Sequence, residues 1–115
     1  MTATSSAAQL LSNDTADAAL VTGAINATDG NLVTGLDAHK PHACVVYLNQ
    51  THAAAQVATI AGQRGYADKV INFSAAAIKV VAVQSHKYVD DDGVMHIQFD
   101  ASSTGTIAVL AVKAR

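Results

Sequence analysis

The sequence predicts an all-β domain: a small antiparallel β-sandwich or partly closed barrel, led by an extended N-terminal arm. Three observations carry this expectation. All nine acidic residues are aspartate, which favours turns and caps, whereas glutamate favours helices. After His42 the apolar residues fall in short β-branched runs separated by polar turn formers. The stretch VMHIQFD alternates cleanly, with Met95, Ile97 and Phe99 on one side and Val94, His96 and Gln98 on the other. It follows Asp92-Gly93, one of the strongest short hairpin signals.

Composition shifts near Pro41, which divides the chain into an arm, 1–40, and a β-domain, 41–115. The arm is rich in Ala, Ser, Thr, Asn and Asp and poor in large apolar groups. Within it SSAAQLLS suits a helical turn or two capped by Ser5 or Ser6, although isolated helices this short are marginal. The pattern D-x-x-L-V-T-G occurs twice, from Asp17 and from Asp29. Two copies are too few for a solenoid, but the spacing suits two short strands ending at Gly23 and Gly35. Such an arm can pack on its own domain or on a neighbour. An arm that orders only on assembly is expected to be protease-sensitive in the isolated subunit and protected in the assembly.

Beyond Pro41, HACVVYLN reads as a strand. AAAQVATIAG is ambiguous: Thr51 can cap a helix with Ala53, Val57 and Ile60 on one face, or the run is a strand with Val57, Thr59 and Ala61 on one side. The neighbouring β-runs favour the strand for residues 51–62. GQRGY is a loop and DKVINFSA a further strand. AIKVVAVQSHKYV is a long β-run, DDDG the turn of a hairpin into VMHIQFD, and SSTG the turn into TIAVLAVKA. This predicts a three-stranded antiparallel meander from Ile78 to Lys113. The last strand is apolar on both faces, Ile107, Val109 and Ala111 against Ala108, Leu110 and Val112, so it belongs in the middle of a packed sheet or beneath a neighbouring subunit.

Candidate chemistry is sparse. Against an EF-hand loop, Gly93 aligns Asp90 and Asp92, but Tyr88 takes the first position and Phe99 the closing one. Two ligands are therefore missing and the acidic run reads as a solvated turn. His39, His42 and Cys44 are the one group with metal-ligand flavour, without the second pair that structural zinc sites use. If His42 and Cys44 both lie in a strand they share a face. The simpler reading is a proline-containing approach to a strand with a buried thiol. Ser85 and His86, adjacent along a strand, point to opposite sides and do not form a nucleophile–base pair. GQRG lacks the features of a phosphate loop. The expectation is of no enzymatic activity, no cofactor and no metal.

The net charge of −2 and the scattered cations give no electrostatic reason to bind nucleic acid. No apolar run is long enough to span a bilayer. A single cysteine fits a reducing compartment, and no secretory signal is expected, so the sequons at Asn13, Asn26 and Asn49 read as chance. Half the residues are hydrophobic, but alanine supplies much of that and aromatics only 4%. A core this thin suggests stabilisation by association.

From Ala43 to Arg115, the strand pair VINFSAAAIKVVAV, the short DDDG and SSTG turns and the closing GTIAVLAVKAR resemble the small β-rich structural proteins of tailed-bacteriophage heads. The Ala/Thr/Val-rich composition and the N-terminal arm match that type. The resemblance implies a virion component made in the host cytoplasm, decorating or cementing a capsid or serving as a fibre or adaptor. Its partners would be copies of itself, often as a trimer, and the major capsid or other virion proteins. The competing expectation is a β-sandwich that recognises a glycan or host surface. Such sites commonly present aromatic platforms, and Tyr47, Tyr66, Tyr88, Phe73 and Phe99 are the only candidates, Phe99 and Phe73 being assigned inward.

Overall fold

A computed structural model describes residues 3–12, 22–36 and 42–113. Among these residues ten strands form two sheets: β1 (Thr4–Ala7), β2 (Gln9–Ser12), β3 (Gly23–Ala24), β4 (Asn31–Thr34), β5 (Ala43–Gln50), β6 (Gln56–Ile60), β7 (Lys69–Phe73), β8 (Ala77–Gln84), β9 (Met95–Phe99) and β10 (Gly105–Lys113). One sheet runs β1-β4-β9-β6-β7. The other runs β2-β10-β5-β8, with β3 also pairing with β10. Neither order closes on itself, so the all-β fold is a sandwich rather than a barrel.

Alternation builds the core. In β5 the buried positions are Cys44, Val46, Leu48 and Gln50, in β6 Gln56, Ala58 and Ile60, and in β9 Met95 and Ile97. Ile107, Val109 and Ala111 of β10 complete the inner layer with Ile71, Phe73 and Val33. The β10 strand lies between β5 and the β2/β3 edge, the central place that its two apolar faces require. Polar groups at the ends of the core are paired, as burial demands. Ser103 Oγ donates to Gln56 Oε1 at 3.0 Å, and Asn31 Nδ2 donates to the Ala24 carbonyl at 2.9 Å. Gln50 Nε2 donates to the His52 carbonyl at 3.0 Å.

Where the leading segment is described, it packs on its own domain. SSAAQLLS is not helical. Its residues belong to β1 and β2, and the chain passes from one sheet to the other at Ala8, pairing parallel with β4 and then with β10. Eight residues gain few internal helical hydrogen bonds for the cost of nucleation, whereas two waiting strand edges satisfy the same backbone groups at once. Of the two D-x-x-L-V-T-G copies, the second forms β4 and ends at Gly35 as expected. In the first, the strand begins at Gly23 instead, and Asp17–Val21 fall outside the described residues.

Residues 51–62 contain strand β6 rather than a helix. The meander from Ile78 to Lys113 does not form. A single helical turn, α1 (Ser85–Tyr88), closed by Val89 N–H donating to the Ser85 carbonyl at 2.9 Å, follows β8 and carries the chain into the opposite sheet. There β9 pairs with β4 and β6, while β8 and β10 flank β5 in the other sheet. Only Val89 and Met95 remain of the predicted hairpin, as an isolated bridge. The turn was legible from Asp-Gly chemistry; the identity of the strand beside it is decided by packing across the molecule.

Candidate functional site

The acidic turn is tied inward. Asp90 Oδ1 accepts the backbone N–H groups of Asp92 and Val94 at 2.9 and 3.0 Å, and Oδ2 meets His96 Nε2 at 2.8 Å. Burial alone would raise the Asp90 carboxyl, but the His96 bond, then the two amides, outweigh it and hold the group below the usual aspartate range. Asp91 pairs with Arg64 at 2.7 Å, and Asp92 is exposed. Among the described residues no three His, Cys, Asp or Glu side chains are grouped to hold a cation.

The other candidates are dispersed. Cys44 is fully buried in β5, and burial pushes its thiol up to about 11. His42 precedes β5 and donates its N–H to Ser85 Oγ at 3.1 Å, while His39 lies outside the described residues. Ser85 is fully buried on α1 rather than on an extended strand, so its hydroxyl orders the chain where β8 ends. His86 contacts Tyr66 edge-on, centroids 5.7 Å apart, and Lys87 Nζ lies 5.5 Å from the same ring. Phe73 is buried and Phe99 packs against the core, as assigned.

A shallow cleft of about 500 Å³ opens beside β6 and β7, lined by Val57, Asn72, Phe73, Lys79 and Asp100 among others. Its charged groups are engaged by the protein. Lys79 Nζ donates to the Asn72 carbonyl and lies 5.4 Å from the Phe73 ring centre. Asp100 Oδ2 accepts the Val57 N–H at 2.9 Å. The cleft pairs no nucleophile with a base.

A second candidate is the outer face of the β2-β10-β5-β8 sheet. Register places Val45 beside Ala82 and Leu110, Tyr47 beside Val80 and Ala108, and Asn49 beside Ile78 and Thr106. Directly opposed residues share a face, so these rows lie on the outer side of the sheet; Ala108 in its middle is buried, and the exposed residues are those of β8. At its margin Ile78 and Val80 are 59% and 60% exposed. The sequence marks this stretch as an apolar β-run but not as a margin, because the missing neighbour of β8 is visible only once β9 is seen to cross to the other sheet.

No family model matches the chain, and no curated protein or solved structure matches it significantly. Among the described residues no helix is long and apolar enough to cross a membrane.

Proposed function

We propose that this chain is a structural subunit of a virion, assembling with copies of itself and with other particle proteins as a decorating, cementing, fibre or adaptor element. The observation that supports this reading is the apolar outer face of the β2-β10-β5-β8 sheet, ending in exposed Ile78 and Val80. Exposed apolar side chains gathered at a sheet margin are a usual mark of protein association. The engagement of Asp90, Asp91, Ser85 and Lys79 in internal bonds fits a protein that acts through its surfaces.

The glycan-binding alternative rests on Tyr66, which is 44% exposed. Lys87 Nζ over its ring and His86 packed against it edge-on already engage the ring on which a sugar would stack. The test is co-sedimentation of the purified chain with phage particles stripped of their accessory head proteins, alongside a glycan array. Saturable binding to particles is expected. Glycan binding lost on Tyr66→Ala, without particle binding, would replace this reading with the alternative.

A further inference from the structure

We infer that two copies of this chain join through the free edge of β8, which pairs antiparallel with itself about a two-fold axis at Val80. The inference deepens the assembly reading above and rests on it only for the setting in which the contact operates.

Hydrogen-bond direction fixes which residues of β8 face outward. Ser85 N–H donates to the His42 carbonyl at 3.0 Å, and Ser85 opposes His42 in the register that continues the β5–β8 ladder. In an antiparallel ladder, directly opposed residues that exchange hydrogen bonds alternate with pairs that do not. Thr51 N–H bonds the Thr104 carbonyl at 2.9 Å, which fixes the alternation on β5 independently and agrees with it. Ala77, Lys79, Val81 and Val83 therefore direct their backbone groups at β5. Ile78, Val80, Ala82 and Gln84 direct theirs outward, where no other described strand pairs with β8.

The same residues carry the exposed apolar side chains. Placing the axis at Val80 opposes Val80 to its own copy and Ile78 to Ala82 of the second copy. These outer-face pairs are apolar, with backbone donors and acceptors in matching positions, while Lys79 opposes Val81 of the second copy on the other face. Long apolar edges usually carry a charge that blocks such pairing. The one charge within β8, Lys79, is turned onto the Asn72 carbonyl and the Phe73 ring. It leaves the outer face of the edge without a charge among Ile78, Val80 and Ala82. An isologous contact requires only a self-complementary patch, which identifies a second copy of this chain as the occupant. Joining β8 to β8 extends the sheet across both subunits and makes their apolar outer faces continuous.

An edge contact buries less than the ~800 Å² per partner of a standard interface, so dissociation in the micromolar range is expected. The test is sedimentation equilibrium of the full chain up to about 100 µM, with Val80→Lys and Val80→Cys variants checked for unchanged far-UV circular dichroism. A dimer is expected, weakened at least about tenfold by Val80→Lys, because two like charges would face each other across the axis. Opposed residues that exchange both hydrogen bonds lie with Cα atoms roughly 5.5 Å apart, within disulfide reach. Oxidised Val80→Cys should therefore form a covalent dimer, while Val70→Cys, on the other sheet's margin, should not.

A monomer at the highest concentration, a trimer, or a dimer indifferent to both Val80 changes would overturn the inference. So would an edge that binds a foreign strand while the chain stays monomeric. Particle binding is scored separately. A monomer that binds particles sinks the edge contact and leaves the virion role standing; a Val80-dependent dimer that binds no particle does the reverse.

Discussion

Arg64 Nη2 lies 2.7 Å from Asp91 Oδ1, and the same guanidinium donates through Nη1 to the carbonyls of His86 and Val89 at 2.9 and 2.8 Å. One side chain from the β6–β7 loop thus holds both the end of α1 and the acidic turn. Arg64 reaches them from a left-handed backbone, φ 54°, a conformation that only glycine adopts without penalty. The ion pair is exposed on the Asp91 side, 81%, and such pairs contribute little. Asp91→Asn is expected to cost less than about 0.5 kcal/mol. Arg64→Ala, which leaves two carbonyls without their donor, should cost about 1 kcal/mol or more. Arg64→Gly should recover part of that loss by relieving the backbone. Urea denaturation of the three variants checks the order.

Asp90 gives the turn a pH dependence. Its folded pKa is lowered, so its contribution to stability is present above the unfolded value of about 3.9 and is lost as pH falls through the folded value. The stability difference between wild type and Asp90→Asn should therefore be largest near neutrality and shrink below about pH 4. Thermal melts of both proteins across this range measure it; a constant difference would exclude the carboxylate as its source.

Gly93 has φ 80°, and a Cβ there would stand 2.4 Å from the Leu36 carbonyl oxygen. That contact is backbone to backbone, for Leu36 N–H donates to the Gly93 carbonyl at 3.1 Å. Gly93→Ala combines a disfavoured conformation with a clash, and should cost roughly 2 kcal/mol or more. Chemical denaturation provides the value.

Cys44 should be silent to thiol reagents in the folded protein at pH 8 and react fully in denaturant, because its thiol is buried and its pKa is raised to about 11. Timed labelling then reads unfolding directly. Rapid stoichiometric labelling under native conditions would contradict the placement.

Leu48, fully buried in β5, tests whether the alanine-rich core is loose. Leu48→Ala is expected to cost about 2–5 kcal/mol if the surroundings cannot collapse into the gap. A measured cost below about 1 kcal/mol would mean a core that repacks freely.

Most of the strands after Pro41 were legible because local alternation marks them. Val46 and Leu48, Met95 and Ile97, and Ile107 and Val109 each recur at the period of two that a half-buried strand requires. What the sequence did not disclose was long-range pairing. Asp92-Gly93 specifies a chain reversal, but nothing near it states that β9 joins β4 and β6 rather than β8. Likewise Gln9–Ser12 lack strong strand propensity, and become a strand because the edge of β10 is there to receive them. The candidate surface was half visible. Ile78 and Val80 stand out as apolar and β-prone, whereas their exposure follows from β8 having, among the described residues, β5 alone beside it.

The passage of the chain from one sheet to the other at Ala8 also bears on how the molecule comes to be made. Gln9–Ser12 lie alongside Leu110–Lys113, so β2 meets its partner strand only across nearly all of the intervening chain. That sheet cannot be completed until β10 has been made, and closing so large a loop makes folding slow. A nascent chain halted before Leu110 would leave β2 with no strand to join.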